Sequence, residues 1–287
     1  DAPSLTAPRL RLSRELRFAV TPLPAAGLTP SPPALPRTAI NNFGGDPPLL
    51  DIAPFLLLVA TIGGIIDPAT GMLINIKQVD AILRERAVPL IRHGVYATPS
   101  VPAPALITRL FADLRQAFAP HALEALSLHP SPFLHFAIHH QEPDMVRLSQ
   151  RFEFSAAHRL HADALSSDEN RAVFGRCNNP NGHGHNYELE VTVVGNGAAG
   201  EAVQESGGSA TVIGIATLQQ VVNATIIDAF DHKHLNLDWP EFAAINPTVE
   251  NIARIIYEKL APAIPSPARL ASVKVWETPK TVAEYGQ

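Results

Sequence analysis

The chain has 287 residues, enough for two ordinary domains of about 100–200 residues each. Apolar residues make up 46 % and charged residues 17 %, which excludes a disordered chain and predicts a packed globular protein. The net charge of −5, without any run of Lys or Arg, argues against a nucleic-acid partner held by phosphate neutralisation.

The single cysteine, Cys177, excludes an intramolecular disulfide framework and indicates a reducing, cytoplasmic location. The longest apolar stretch, residues 54–66, contains two glycines and is too short to span a bilayer. We therefore expect no membrane partner. The segment DAPSLTAP lacks a basic region followed by an apolar one, so we do not expect it to be a secretory signal.

The N-terminal half is predicted to follow the order strand, strand, helix, helix, strand. Its segments, in chain order, are RLSRELRFAV, PFLLLVATIG, the helix start MLINIKQV, APALITRLFADL and LHFAI.

The C-terminal half shows the same order with clearer patterns. Its first two strands, RFEFSAAHRL and GHGHNYELEVTVVG, alternate between two faces. One face holds Phe152, Phe154, Ala156 and His158 on the first strand, and His183, His185, Tyr187, Leu189 and Val191 on the second.

Two helices and a strand complete this half. A Gly/Ala/Ser-rich turn over residues 195–210 precedes a predicted helix over 217–230. Thr248 is a plausible cap for a second helix over 249–260. The segment SVKVWET is the last clear strand, and a short tail strand can follow it.

The two halves match at a nearly constant offset, which is typical of an internal duplication. Leu12-Ser13 corresponds to Leu148-Ser149 at 136 residues, and LHFAI corresponds to VKVWE at 139. Any two halves built from strands and amphipathic helices resemble each other, but here element order and spacing agree together.

Three histidines have the placement that a metal site requires. His183 and His185 form a His-x-His pair on one strand face, because side chains repeat with a period of two. His158 lies on the corresponding face of the preceding strand. A catalytic zinc needs about three protein ligands and an open position. Spacing alone leaves metal binding and a structural role equally open.

Other residues could move protons near such a site. Cys177 lies in a polar loop six residues before His183; a lone cysteine is usually a buried apolar residue, but a nearby cation favours its thiolate. Asp231 and His232 form an acid–imidazole pair that alone indicates only a charge cluster at a helix end. Glu277 closes an apolar strand, so its partly buried carboxylate must pair or bind a polar ligand.

The run SDENRAVFGRCNNPNGHGHNY, with FSAAHRL before it and DHKHLN, PTVENIA and WET after it, resembles the 6-pyruvoyl-tetrahydropterin synthase family. The resemblance implies an α+β T-fold (tunnelling fold), with a four-stranded antiparallel sheet, two helices on one face, and homo-oligomers that close barrels. Together with the duplication it implies a tandem T-fold. Residues 9–146 would be a degenerate repeat without catalytic residues, and 147–287 the zinc-dependent catalytic domain.

The resemblance also implies roles for individual residues. It assigns the binding of Zn²⁺ to His158, His183 and His185. It assigns catalysis to Cys177, as general base, together with Asp231 and His232. It assigns binding of the pterin substrate to Glu277, Thr248 and Glu250.

The implied reaction converts 7,8-dihydroneopterin triphosphate to 6-pyruvoyl-tetrahydropterin and triphosphate. The alternative is the 6-carboxy-tetrahydropterin synthase of the queuosine pathway, which uses the same substrate and releases acetaldehyde; the long CNNPNGHGH loop favours the pyruvoyl-forming type. A third hypothesis is a T-fold that binds a pterin without turnover. Cys177, Asp231 and His232 argue against it, because a pure binder needs no proton-transfer groups.

Two departures from the family pattern are visible. The C-terminal half has Gly214 where a polar residue is expected before the first helix, whereas the N-terminal half keeps DPATGM. That half lacks HGH, cysteine and DHK, and LHFAI places Ile138 opposite Glu277. We therefore expect it to retain the scaffold without the site, and C-terminal halves to associate with one another.

Overall fold

The computed structural model describes residues 9–22, 43–49, 52–98, 101–197 and 212–286. The chain divides into two compact units. The described part of the first unit ends at Val146 and also includes Asn196 and Gly197; the remainder forms the second unit. Both units combine a largely antiparallel sheet with helices, so the predicted α+β class is confirmed. The predicted turn over 195–210 lies, after Gly197, outside the described residues.

The first unit contains a four-stranded sheet in the order β1-β2-β3-β4, with each neighbouring pair antiparallel. The strands are β1 (Arg9–Ala19), β2 (Phe55–Ile65), β3 (Ala122–Ser131) and β4 (Leu134–His139). The helices are α1 (Ile76–Ile82), α2 (Val88–Tyr96) and α3 (Ala103–Ala117), and the π-helical turn Leu83–Ala87 joins α1 to α2.

The core of the first unit is built from rows of side chains that cross the sheet. Leu16 pairs with Leu58, Leu58 with Leu128, and Leu128 with Phe136, and all four are buried. Residues in one row point to the same face of a sheet. The helix α3 contacts β3 and β4 and buries its own apolar side chains. Alternation in the sequence therefore places the core on one face.

The second unit has a sheet in the order β5-β6-β8-β9, and the short β7 pairs in parallel with β5. Its strands are β5 (Glu142–His158), β6 (His183–Asn196), β7 (Lys233–His234), β8 (Arg269–Thr278) and β9 (Thr281–Gly286). Its helices are α4 (Ser167–Phe174), α5 (Ile215–Val222), α6 (Asp228–Phe230), α7 (Leu235–Asp238) and α8 (Val249–Leu260), with 3₁₀ turns at Gly175–Asn178 and Pro240–Ala243.

The predicted elements of this unit are observed with small shifts. The helix expected over 217–230 begins at Ile215 and is interrupted by the π-helical turn Asn223–Ile227. The tail strand is β9. The strand expected to start near residue 151 begins at Glu142, so the sequence boundary between the two units falls inside β5 and not in a linker.

The structure corrects one correspondence between the halves. The strand after α3 is β3, and LHFAI belongs to its hairpin partner β4. In element order, β3 therefore corresponds to β8. Each strand carries a bulge, β3 at Glu124 and β8 at Ala271. When the two strands are aligned at these bulges, Pro130, and not Ile138, has the position equivalent to that of Glu277. The strand β3 was not predicted because its bulge breaks the strict alternation of apolar and polar residues in HALEALSLHP. The segment LHFAI was therefore matched to VKVWE in its place.

Among the helices in the described ranges, none is both long and apolar enough to cross a membrane.

The bulge in β3 buries a charged group. One Glu124 oxygen accepts a hydrogen bond from Arg9 Nη2 at 2.7 Å, and the other lies 2.5 Å from Arg11 Nε. Burial alone would raise the pKa of Glu124, but the hydrogen bonds and charges of the two guanidinium groups outweigh this effect, and the pKa is lowered. Gly63 makes room for the carboxylate, because a Cβ there would overlap Glu124 Oε1.

We predict that Gly63→Ala lowers the free energy of unfolding by about 1–3 kcal/mol, since the added methyl group displaces Glu124 from its arginines. In a Glu124→Ala background the same change should cost at least about 1 kcal/mol less, because the overlapping carboxylate is gone. Chemical denaturation of the four chains measures this coupling. Equal costs in both backgrounds would contradict it.

Candidate metal centre and active site

Two strand ends bring three histidines together. His158 is the last residue of β5, and His183 and His185 begin β6. One nitrogen from each lies within 4.8 Å of the others. His158 Nε2 and His183 Nε2 are 3.2 Å apart, close to the roughly 3.3 Å between two imidazole nitrogens around a tetrahedral zinc. The structure therefore assembles the histidine cluster that strand parity predicted.

The neutral form of His158 is fixed by its surroundings. The ring is buried, and Nδ1 lies 2.7 Å from the Pro247 carbonyl oxygen. A carbonyl only accepts, so Nδ1 donates and Nε2 presents its lone pair to the cluster. Burial, and then repulsion by His183 and His185, lower the pKa of His158 to about 4. The ring is thus held ready to bind a cation without first losing a proton.

Two nitrogens of the other histidines are buried without a hydrogen-bond partner in the described part of the chain: His183 Nδ1 and His185 Nε2. Burial also lowers the pKa of His183. Buried polar atoms normally have partners, because leaving them unpaired costs free energy. Three neutral imidazoles are the donor set of a catalytic zinc site that keeps one position open. The cluster fits that ion.

Glu277 lies against the histidine cluster. Its Oε1 is 3.5 Å from His158 Nε2 and 3.8 Å from His185 Nε2, and its side chain is 20 % exposed. Antiparallel pairing of β8 with β6 brings it there, since the preceding Trp276 lies opposite Glu188. The partial burial expected from the sequence is thus observed, and the carboxylate borders the space that a ligand of the cluster would enter.

Cys177 is fixed beside the end of β5. Its carbonyl oxygen accepts a hydrogen bond from Leu160 N at 2.9 Å, and Asn178 Nδ2 donates to the Leu160 carbonyl at 2.7 Å. Burial, and then the negative charge of Glu277, raise the pKa of the Cys177 thiol. The Cys177 thiol is thus close enough to Glu277 for the charge of that carboxylate to oppose its ionisation.

Asparagine side chains that sequence reasoning missed hold this region. Asn236 accepts from Arg159 N and donates to Arg159 O, at 2.8 and 3.0 Å. Asn246 accepts from His161 N at 2.8 Å. Buried Asn170 donates to the carbonyls of three loop residues. The many asparagines in this part of the sequence were a visible signal, but the partners of Asn236 and Asn246 are distant in the chain.

Asp231 and His232 form the expected acid–imidazole pair. Asp231 accepts from Ser155 N and lies 2.8 Å from His232 Nδ1. The Ser155 N–H, followed by His232, lowers the pKa of Asp231. His232 has a φ of +57° and an 82 % exposed side chain, and it lines a hollow of about 540 Å³ with His185. In the described structure, the hydrogen bonds of this pair do not involve Cys177.

The structure places the remaining two predicted residues at the start of α8. Thr248 caps the helix by accepting from Asn251 N, and it follows Pro247, whose carbonyl holds His158. Glu250 is exposed on the first helical turn. Neither has a described side-chain contact with the histidine cluster.

Two further residues border the site and were not assigned from sequence. His234, in β7, has a buried Nδ1 without a described partner, and its Nε2 would lie 2.7 Å from a Cβ on Gly182. Tyr187 is fully buried, stacks on Phe154 and has an unpartnered hydroxyl in the described chain. Burial, then the charges of Glu277 and Cys177, raise the pKa of Tyr187, which keeps it a hydrogen-bond donor. The second histidine of DHKHLN and the parity of Tyr187 were the available signals.

Comparison with known proteins places the site in a family. Residues 147–287 match the family described as 6-pyruvoyl tetrahydropterin synthase. A human protein named 6-pyruvoyl tetrahydrobiopterin synthase is 41 % identical over 140 residues, which are 49 % of this chain and 90 % of that protein. One from Drosophila melanogaster is 40 % identical over 145 residues, 50 % of this chain and 81 % of its own.

A solved structure of 6-pyruvoyl tetrahydropterin synthase from Caenorhabditis elegans is 37 % identical and covers 50 % of this chain and 96 % of its own, with a TM-score of 0.44. The human relative is covered over nine-tenths of its length at 41 % identity. This chain therefore belongs to the 6-pyruvoyl tetrahydropterin synthase family and is a lyase of that type.

Proposed function

We propose that the second unit converts 7,8-dihydroneopterin triphosphate to 6-pyruvoyl-tetrahydropterin and triphosphate, using Zn²⁺ held by His158, His183 and His185. The observation that carries this proposal is the histidine cluster itself. Its three imidazoles converge within 4.8 Å, and Glu277 Oε1 lies 3.5 Å from His158 Nε2. The names of the human and fly relatives support the same reaction.

The proposed reaction removes protons from weakly acidic carbons. When bound, zinc supplies a Lewis acid for the side-chain hydroxyls and a positive charge that favours the Cys177 thiolate. Cys177 takes a proton from a side-chain carbon and returns one during tautomerisation. Glu277 accepts hydrogen bonds from the amino and ring N–H groups of the pterin and fixes its orientation. Thr248 and Glu250 are proposed to border the pterin pocket.

The pair Asp231–His232 is proposed to act on the site of a neighbouring chain in a homo-oligomer. Asp231 binds Nδ1 of His232, so Nε2 is left to exchange a proton with an oxygen of the substrate. The exposure of His232 and its lack of a described bond to Cys177 support a role across an interface. In this proposal, C-terminal halves associate with one another in a ring that closes T-fold barrels.

The first unit is proposed to be a degenerate T-fold repeat that forms or caps a second, inactive layer. Both units contain, in this order, two strands, a helix with a π-helical turn, another helix and two strands, and the second unit has α4 between its first two strands and β7 and α7 between its helices in addition. Pro130 stands at the position of Glu277, and a proline offers no carboxylate. We further propose a cytoplasmic location, because the single cysteine must stay reduced to act as a base.

We predict one zinc per chain, and near-complete loss of zinc in a His183→Ala/His185→Ala double variant, because one imidazole cannot hold the ion. Elemental analysis of purified, dialysed protein measures this. His93→Ala, an exposed histidine on α2, serves as the control and should keep its zinc. Near-full occupancy in the double variant would refute the assignment.

We predict that mass spectrometry identifies 6-pyruvoyl-tetrahydropterin as the product of the wild-type chain. We also predict that Cys177→Ala lowers turnover at least about a hundredfold while the variant keeps its zinc. The reason is that positioned proton transfer contributes about 10²–10⁴-fold. A 6-carboxy product with acetaldehyde would establish the alternative reaction. Turnover within a few fold of wild type in Cys177→Ala would make this cysteine structural.

We predict that mixing Cys177→Ala chains with His232→Ala chains restores part of the activity that each lacks. If each site combines Cys177 of one chain with His232 of a neighbour, random exchange makes about a quarter of the sites complete. Activity is measured before and after subunit exchange, with each variant alone as the control. An active monomer and no recovery on mixing would show that each chain builds its own site.

A further inference from the structure

A cleft of about 650 Å³ opens beside the histidine cluster, within the second unit. Its lining includes the cluster member His183 together with Arg171, Arg176, Asn178 and Asn179. The cleft thus reaches directly to one of the proposed zinc ligands. We call it the Arg171–Arg176 cleft.

The cleft is basic, and its charges are weakly committed. Arg171 lies in the last turn of α4, 3.4 Å from Asp168 in an exposed pair of the kind that contributes little. The guanidinium of Arg176 has no hydrogen-bond or ion-pair partner among the described residues. No carboxylate belongs to the lining that the described chain provides. Two guanidinium groups are therefore available to an anion.

The backbone that carries Arg176 is held in place. Arg176 precedes Cys177, whose carbonyl is bonded to Leu160 N, and Asn178 bonds to the Leu160 carbonyl. Asn179 closes the turn by accepting from Asn181 N at 3.1 Å. The cleft is thus anchored to the segment that follows His158, and the arginine side chain remains free.

We propose that the Arg171–Arg176 cleft binds the triphosphate group of the substrate, an inference that rests on the proposed function. Guanidinium groups bind phosphate oxygens through paired N–H donors. In the elimination, Cys177 takes the proton from carbon, the electrons of that C–H bond form the new double bond, and the C–O bond breaks with its electron pair leaving on triphosphate. Arg171 and Arg176 stabilise the charge that develops on this leaving group.

A second cavity is less suited to a polyanion. It has about 560 Å³ and is lined by Arg159, His161 and Asp163, among others. The guanidinium of Arg159 already contacts the Asn178 carbonyl and His161, and the carboxylate of Asp163 would repel phosphate. The Arg171–Arg176 cleft has no carboxylate in its described lining, and the one contact that its guanidinium groups make is the exposed pair of Arg171 with Asp168.

The test measures binding of inorganic triphosphate to the zinc-loaded full chain by calorimetry, with zinc content determined before and after because triphosphate chelates zinc. The double variant Arg171→Gln/Arg176→Gln should bind it at least about tenfold more weakly, since charge-assisted hydrogen bonds are lost. Arg269→Gln, an exposed arginine at the end of β8 far from Glu277, is the matched control and should bind like wild type. Arg171→Lys/Arg176→Lys should recover part of the loss.

A second measurement separates the phosphate from the pterin. In the glutamine double variant, KM for 7,8-dihydroneopterin triphosphate should rise at least about tenfold, while inhibition by phosphate-free 7,8-dihydroneopterin stays unchanged. Unchanged triphosphate binding and KM in this variant, with an active wild type, would overturn the inference and leave the proposed function intact. If the wild type does not convert the substrate, the proposed function fails, and the triphosphate titration alone decides whether the cleft binds polyphosphate.

Discussion

The hydrogen bond from His158 Nδ1 to the Pro247 carbonyl is the contact on which the site depends. It joins the end of β5 to the start of α8, and it gives a fully buried imidazole a partner for its N–H. Without that partner, burying the N–H would cost about 1–3 kcal/mol. The same bond turns Nε2 toward His183 and His185. One hydrogen bond thus makes a tertiary contact and sets the orientation of the His158 ring.

The polar loops around His158 satisfy their backbone groups through asparagine side chains. Asn236 and Asn246 bond to the backbone of Arg159 and His161, and Asn178 bonds to that of Leu160. Because these bonds come from separate segments of the chain, they hold the backbone of residues 159–161, which has no regular secondary structure of its own. This arrangement holds the backbone of Cys177 beside the segment that follows His158, while β6 carries His183 and His185 and β8 carries Glu277.

Much of the site could be predicted from the sequence because it obeys strand periodicity. The same-face placement of His158, His183 and His185 follows from a period of two, and the family recognition from the motifs around them is confirmed. The asparagine contacts and the position of His234 could not be predicted, because they join residues about 75–90 apart in the chain or depend on loop conformation. The strand β3 could not be recognised from its pattern because of the bulge at Glu124. One extra residue there inverts the apparent face of every later residue in the strand.

The position of Pro130 shows how fold and chemistry are separated along a strand. The row that ends with Leu128 and Phe136 is buried, whereas Pro130 lies two residues further on and is exposed. In β8, the buried Val275 likewise precedes Glu277 by two residues. The side chain at this end of either strand can therefore change while the buried residues that stabilise the sheet stay the same.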